Sequence, residues 1–133
     1  MKNPISLLAF IFPVVGSLSQ TLVAGSQDGT EPYIVKDKIE LALNTDEIRK
    51  QSLVLGYRNC EIEYRDKGWR KGEHTHPKYY LFFGKMGKME FIIKGQRFVL
   101  EPGDELYYPR SALMAAKNLH DGRSEWFICI KDN

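Results

Sequence analysis

The chain has 133 residues, of which 43% are hydrophobic and 27% charged, with a formal net charge of +2. That length suits one compact domain, and the balance is that of an ordinary globular protein rather than a disordered or fibrous one. So small a charge, with no basic cluster, argues against nucleic acid or an anionic membrane as the main partner.

In chain order, residues 1–25 read as a secretory signal peptide. Lys2 supplies a weakly basic start, Ile5 to Val15 is an apolar run broken only by Ser6 and Pro13, and small residues lead out at Ala24 and Gly25. Cleavage is expected after Gly25 or after Ser19. The apolar run is far shorter than the roughly 20 residues a membrane-spanning helix needs. The expected location is secreted or extracytoplasmic (periplasmic in a bacterium), with no membrane association after leader removal.

Residues 26–48 read as an N-terminal extension. It carries a short strand at Ile39 to Leu43 and a helix start at Asn44-Thr45-Asp46-Glu47, where an Asn cap precedes a Glu three residues on. The helix is expected to last a turn or two, because strand-like sequence resumes near Ser52. Residues 49–133 then read as a β-barrel of short strands. Turn signals punctuate it at Asp66-Lys67-Gly68, Gly84 to Gly87, Lys94-Gly95, Pro102-Gly103-Asp104 and Asp121-Gly122. Met89, Phe91 and Ile93 alternate with Glu90, and Phe98 and Leu100 alternate with Arg97 and Glu101, the period of half-buried strands. Cys60 and Cys129 lie in the candidate strands Leu53 to Tyr64 and Ser124 to Lys131. They admit one disulfide in an oxidising compartment, or buried free thiols acting as small apolar residues; the second reading is preferred.

From Gly68 to Asn118 the punctuation resembles the two motifs of the cupin superfamily. Gly68, His74-Thr75-His76, Tyr80 and Gly87 match the first motif, with Tyr80 standing where that family has Glu. Gly103, Pro109, Ser111, Met114 and Asn118 match the second, with Met114 standing where the family has His. The resemblance implies an all-β, double-stranded β-helix (jelly-roll) barrel that commonly pairs into homodimers. Tyr79, Leu81 and Phe83 would offer an apolar outer face for that pairing.

The resemblance also implies a metal centre at His74, His76, Tyr80 and Met114. Alternate residues of a strand share a face, so both histidines would point into the barrel. Two imidazoles suit a divalent transition metal such as Fe, Mn, Ni, Zn or Cu. The phenol and thioether at the other two positions degrade the set for hard and borderline ions, while Cu(I) tolerates Met with two His. A metal-free alternative makes His74 or His76 a base and Tyr80 an acid, which resembles the arrangement in sugar-epimerising relatives. Two functions remain open. One is a small-molecule enzyme working in the barrel mouth through His74, His76 and Tyr80. The other is a non-catalytic module that binds a small ligand or a soft metal. Trp69 and Trp126 are read as packing or dimer-contact residues, and His120 as a turn residue. No Gly-rich phosphate loop and no nucleophile elbow is present.

Overall fold

The computed structural model describes residues 29–38 and 45–132, so the expected leader and the expected strand at Ile39 to Leu43 lie outside the described residues. Among the described residues nine strands and one helix follow in order: β1 Tyr33–Val35, α1 Thr45–Val54, β2 Arg58–Arg65, β3 Arg70–His74, β4 Tyr79–Met86, β5 Met89–Ile93, β6 Gln96–Leu100, β7 Glu105–Tyr108, β8 Met114–Asn118 and β9 Ser124–Lys131. They form two antiparallel sheets. One has strand order β3-β8-β5-β6, and the other β1-β7-β4-β9-β2. β2 and β3 are therefore edge strands, joined directly by the turn at residues 66–69.

The alternation expected for β5 and β6 sets the core between the sheets. Met89, Phe91 and Ile93 are buried there with Leu100, Leu106 and Phe82, and Phe98 packs against them. Glu90, on the opposite side of β5, is neutralised by Arg97 at 2.7 Å. Gly87 closes the β4–β5 turn at φ 82°, and a Cβ there would meet Ser124 Oγ at 2.2 Å, so only glycine fits.

The outer face of the larger sheet differs from expectation. Leu81 and Phe83 do not form an open pairing face. They are buried with Tyr107 and Phe127 beneath Ile48 of α1 and Tyr57. The helix that covers them runs for ten residues, beyond the turn or two anticipated. Ser52 belongs to its buried side, whereas Leu53 and Val54, read as the start of a strand, are 63% and 83% exposed. Termination comes from Gly56, at φ 89°. The amide of Gly56 bonds Leu53 O (2.9 Å) and that of Tyr57 bonds Ser52 O (2.9 Å), which is a Schellman end and delays β2 to Arg58.

The preferred reading of the cysteines also fails: Cys60 and Cys129 are joined in a disulfide across β2 and β9. An extra residue on β2, where Ile128 faces Glu61 but Ile130 faces Arg58, brings the pair opposite one another, with Asn59 in the bulge at φ 57°. β1 and the residues that follow it, expected to lie in an extension before the barrel, join the larger sheet along β7 and are held there by two buried carboxylates. Asp104 binds the Lys36 ammonium and accepts the Asp37 amide at 3.0 Å. Glu105 binds Lys38 at 2.8 Å and accepts the Tyr33 hydroxyl at 3.3 Å.

Candidate functional site

A cavity of about 260 Å³ opens between the edge strands β2 and β3 and runs inward between the sheets. All four sequence-derived candidates, His74, His76, Tyr80 and Met114, line it. So do Trp69 and Trp126, which also pack in the core as expected, Trp126 within it and Trp69 against it. His120 lies outside, in the turn after β8.

Register explains the convergence. On β9 and β4, Ile130 faces Tyr80, Ile128 faces Phe82 and Trp126 faces Gly84, so one face of the larger sheet supplies a graded floor. On the smaller sheet Met114 faces His74. His76 lies beyond the end of β3, so strand alternation does not place it. The β7 residue Tyr108 does. Its hydroxyl accepts the His76 amide at 2.8 Å and donates to Ala112 O at 2.6 Å, while the Ser111 amide bonds His76 O at 2.8 Å. The motif gave no sign of Tyr108. The only local signal was its place directly before Pro109.

The rings form a chain along the wall. His74 and His76 meet edge-on with centroids 4.8 Å apart, and His76 meets Tyr80 edge-on at 5.2 Å. Tyr80 stacks on Phe82 at 5.8 Å, Phe82 on Phe91 at 5.0 Å, and Phe91 meets Trp126 at 5.9 Å. His74 Nδ1 lies 2.7 Å from the Gly72 carbonyl, which fixes the Nδ1–H tautomer and leaves Nε2 with the free lone pair.

Electrostatics separate the partners. Burial first, then the proximity of His74 and Lys71, pushes the His76 imidazole below its usual pKa of 6.5. Burial above all, with Glu63 adding and Lys78 opposing, pushes the Tyr80 phenol above 10. Burial likewise raises Tyr108. At neutral pH the cavity thus holds an unprotonated imidazole edge-on to a protonated phenol, a base and an acid with well-separated affinities for the proton.

The usual divalent-metal set does not fit. Among the described residues no three His, Cys, Asp or Glu side chains gather where they could hold an ion. The position that would supply a carboxylate holds a phenol that burial keeps protonated.

Asn118, the last residue of the second motif, serves the scaffold. Its Nδ2 donates to Arg65 O (3.2 Å), Asp66 O (2.9 Å) and Gly122 O (2.8 Å), and its Oδ1 accepts from the Ser124 hydroxyl at 2.7 Å. That hub fixes the turn between the two lips of the cavity.

No protein-family model and no curated protein matches the chain. Solved structures do match. An RmlC-like cupin family protein with a double-stranded β-helix fold from Methanocaldococcus jannaschii is 17% identical, with a TM-score of 0.51 over 57% of this chain and 71% of that one. The fold is that of the cupins. A ribosomal oxygenase from Escherichia coli in complex with cobalt and succinic acid is 18% identical, with a TM-score of 0.54 over 65% of this chain and 28% of that one. A deletion mutant of Bacillus subtilis oxalate decarboxylase is 18% identical, with a TM-score of 0.51 over 76% of this chain and 25% of that one. A chain from the structures of two DMSP lyases is 22% identical, with a TM-score of 0.50, and this protein spans 37% of its length.

Proposed function

We propose that this protein is an exported cupin-fold protein that binds a small organic molecule in the cavity and moves a proton on it. His76 is the base and Tyr80 the acid. The observation that carries the reading is the pairing of a neutral imidazole with a protonated phenol, ring centroids 5.2 Å apart, in a pocket walled by Phe82, Phe91 and Trp126. General acid–base catalysis needs two groups placed this way, with proton affinities held apart by their surroundings. The solved neighbours include enzymes whose names specify small substrates, oxalate and DMSP, which supports a small-molecule role on this scaffold. Export and pairing into a homodimer belong to the same proposal. Intact-mass analysis of protein from its host should give a start near Gln20 or Ser26, and light scattering should give a two-chain mass.

The test is solvent-proton exchange. Protein in D2O is incubated with panels of carboxylates, amino acids and sugars, and proton NMR follows deuterium appearing at carbon. His76→Gln and Tyr80→Phe should each abolish exchange while leaving the melting temperature within a few degrees. Full exchange in both variants would overturn the assignment. Binding without exchange in the wild type would leave the non-catalytic module instead.

One observation favours a second reading. His74 presents a free Nε2 and faces Met114 across β3 and β8, a nitrogen and a thioether suited to Cu(I). Titration of the reduced-copper probe complex with wild type, His74→Ala and Met114→Leu tests it. Equal uptake by all three removes the reading.

A further inference from the structure

The charges around the cavity are distributed against the usual rule for an edge strand. β2 turns Asn59, Glu61, Glu63 and Arg65 toward the cavity and leaves Ile62 and Tyr64, at 48% and 49% exposure, on the outside. Charged side chains ordinarily take the solvent face of such a strand and apolar ones the inner face. The inversion places a polar lip beside an apolar floor. A register shift does the same on the opposite edge. Met114 faces His74 but Ala116 faces Lys71, so β3 carries one extra residue there, and both His74 and Lys71 line the cavity.

Of the four charged groups, two satisfy each other. Arg65 pairs with Glu63 at 3.3 Å and lies over the Trp69 ring at 4.7 Å from its centroid. The remaining two, Glu61 on β2 and Lys71 on β3, have no ion-pair partner among the described residues. One lip thus carries an exposed anion and the other an exposed cation, each without an ion-pair partner among the described residues.

We infer that the ligand is a small zwitterion with an apolar body, of the amino-acid class. Its cationic group sits at Glu61, its carboxylate at Lys71, and its hydrocarbon part against Phe82, Phe91 and Ile128. A cavity of about 260 Å³ holds roughly nine waters at about 30 Å³ each, the space of a molecule the size of leucine. The inference rests on the small-molecule reading above and names its ligand class. Neither Glu61 nor Lys71 belongs to the proton-transfer pair.

Isothermal titration of the oxidised, full chain with three matched probes tests it: leucine, 4-methylpentanoate, which lacks the ammonium, and 3-methylbutylamine, which lacks the carboxylate. A parallel series uses phenylalanine, 3-phenylpropionate and 2-phenylethylamine. In at least one series the zwitterion should bind ~30-fold tighter than either half-ligand. Glu61→Gln should erase its advantage over the carboxylate alone, and Lys71→Met its advantage over the amine alone. Half-ligands within about threefold of the zwitterion in both series, or no heat from any probe at about 10 mM, would overturn the inference. Failure of the proton-transfer reading looks different: leucine or phenylalanine binds wild type and Tyr80→Phe equally, yet exchanges no carbon-bound proton. Exchange on a sugar with no zwitterion binding would overturn the present inference and leave that reading standing.

Discussion

Reducing the Cys60–Cys129 disulfide should cost this protein a large part of its stability and should do so from one side of the barrel. The crosslink joins residues 69 apart in sequence. Closing a loop of that length in the denatured chain removes entropy worth about 4 kcal/mol at 25 °C. The native state of a domain this size holds only about 5–15 kcal/mol, so the loss is a substantial fraction. With a urea dependence of about 1.5 kcal/mol per molar, the unfolding midpoint should fall by 2–3 M. Urea titrations of oxidised protein, reduced protein and the Cys60→Ala, Cys129→Ala double variant separate the crosslink from packing. Reduced protein keeps both buried sulfurs, so a similar fall in the two samples assigns the loss to the bond. Native-state hydrogen exchange should also accelerate most in β2, which among the described strands pairs only with β9. Midpoints within about 0.3 M for oxidised and reduced protein would refute the reasoning. So would two free thiols in unfolded, unreduced protein.

Other outcomes follow from single residues. The His76 ring protons should titrate with a midpoint below 6.5 by NMR, and Lys71→Met should move it back up by removing the Lys71 ammonium. Because the folded-state pKa is depressed, His76 contributes stability that is complete above pH 6.5 and lost as pH falls through the folded value; in His76→Gln that part of the acid limb should flatten. Asn118→Ala removes the side chain that bonds the Arg65, Asp66 and Gly122 carbonyls, the His120 amide and the Ser124 hydroxyl, and should cost about 2–3 kcal/mol in denaturation while loosening the turn between the cavity lips. Gly87→Ala, which forces a Cβ into Ser124 at a positive φ, should cost at least ~2 kcal/mol by the same measurement.

The barrel and the identity of its inward residues were legible because turn residues and motif spacing sit in the sequence itself. His74, Tyr80 and Met114 could be placed on strands by spacing and parity. What escaped was whatever depends on a bulge or on a remote partner. The extra residue in β3 makes Lys71 and His74 neighbours on one face, although their sequence numbers predict opposite faces. The bulge at Asn59 brings Cys60 opposite Cys129, which composition alone weighed toward free thiols. Tyr108 holds His76 through a hydroxyl bond spanning 32 residues, and no local pattern announces such a contact. The helix was cut short for a different reason. Leu53 and Val54 are apolar but exposed, so their hydrophobicity imitated a strand that begins only after Gly56.

The two departures from the cupin motif act together, and reversing them together is the sharpest way to see what they do. Tyr80 and Met114 remove a carboxylate and an imidazole from the ligand positions and put a ring and a thioether on the cavity wall. Tyr80 then joins the ring chain between His76 at 5.2 Å and Phe82 at 5.8 Å. The exchange trades a site for a hard or borderline ion against apolar surface for an organic ligand. Tyr80→Glu with Met114→His should therefore acquire about one equivalent of Co or Zn by elemental analysis, with uptake lost below pH 6 as the imidazoles protonate. Each single variant should gain much less. Tyr80→Glu alone puts a carboxylate in a half-buried place where Lys78 and Glu63 act in opposite directions, and it leaves the thioether at 114 in place of an imidazole. The wild type should retain less than about a tenth of an equivalent of either ion after gel filtration. A full equivalent of Co or Zn in the wild type would mean that the phenol and thioether are ligands after all, and the proton-transfer role of Tyr80 would fall with it.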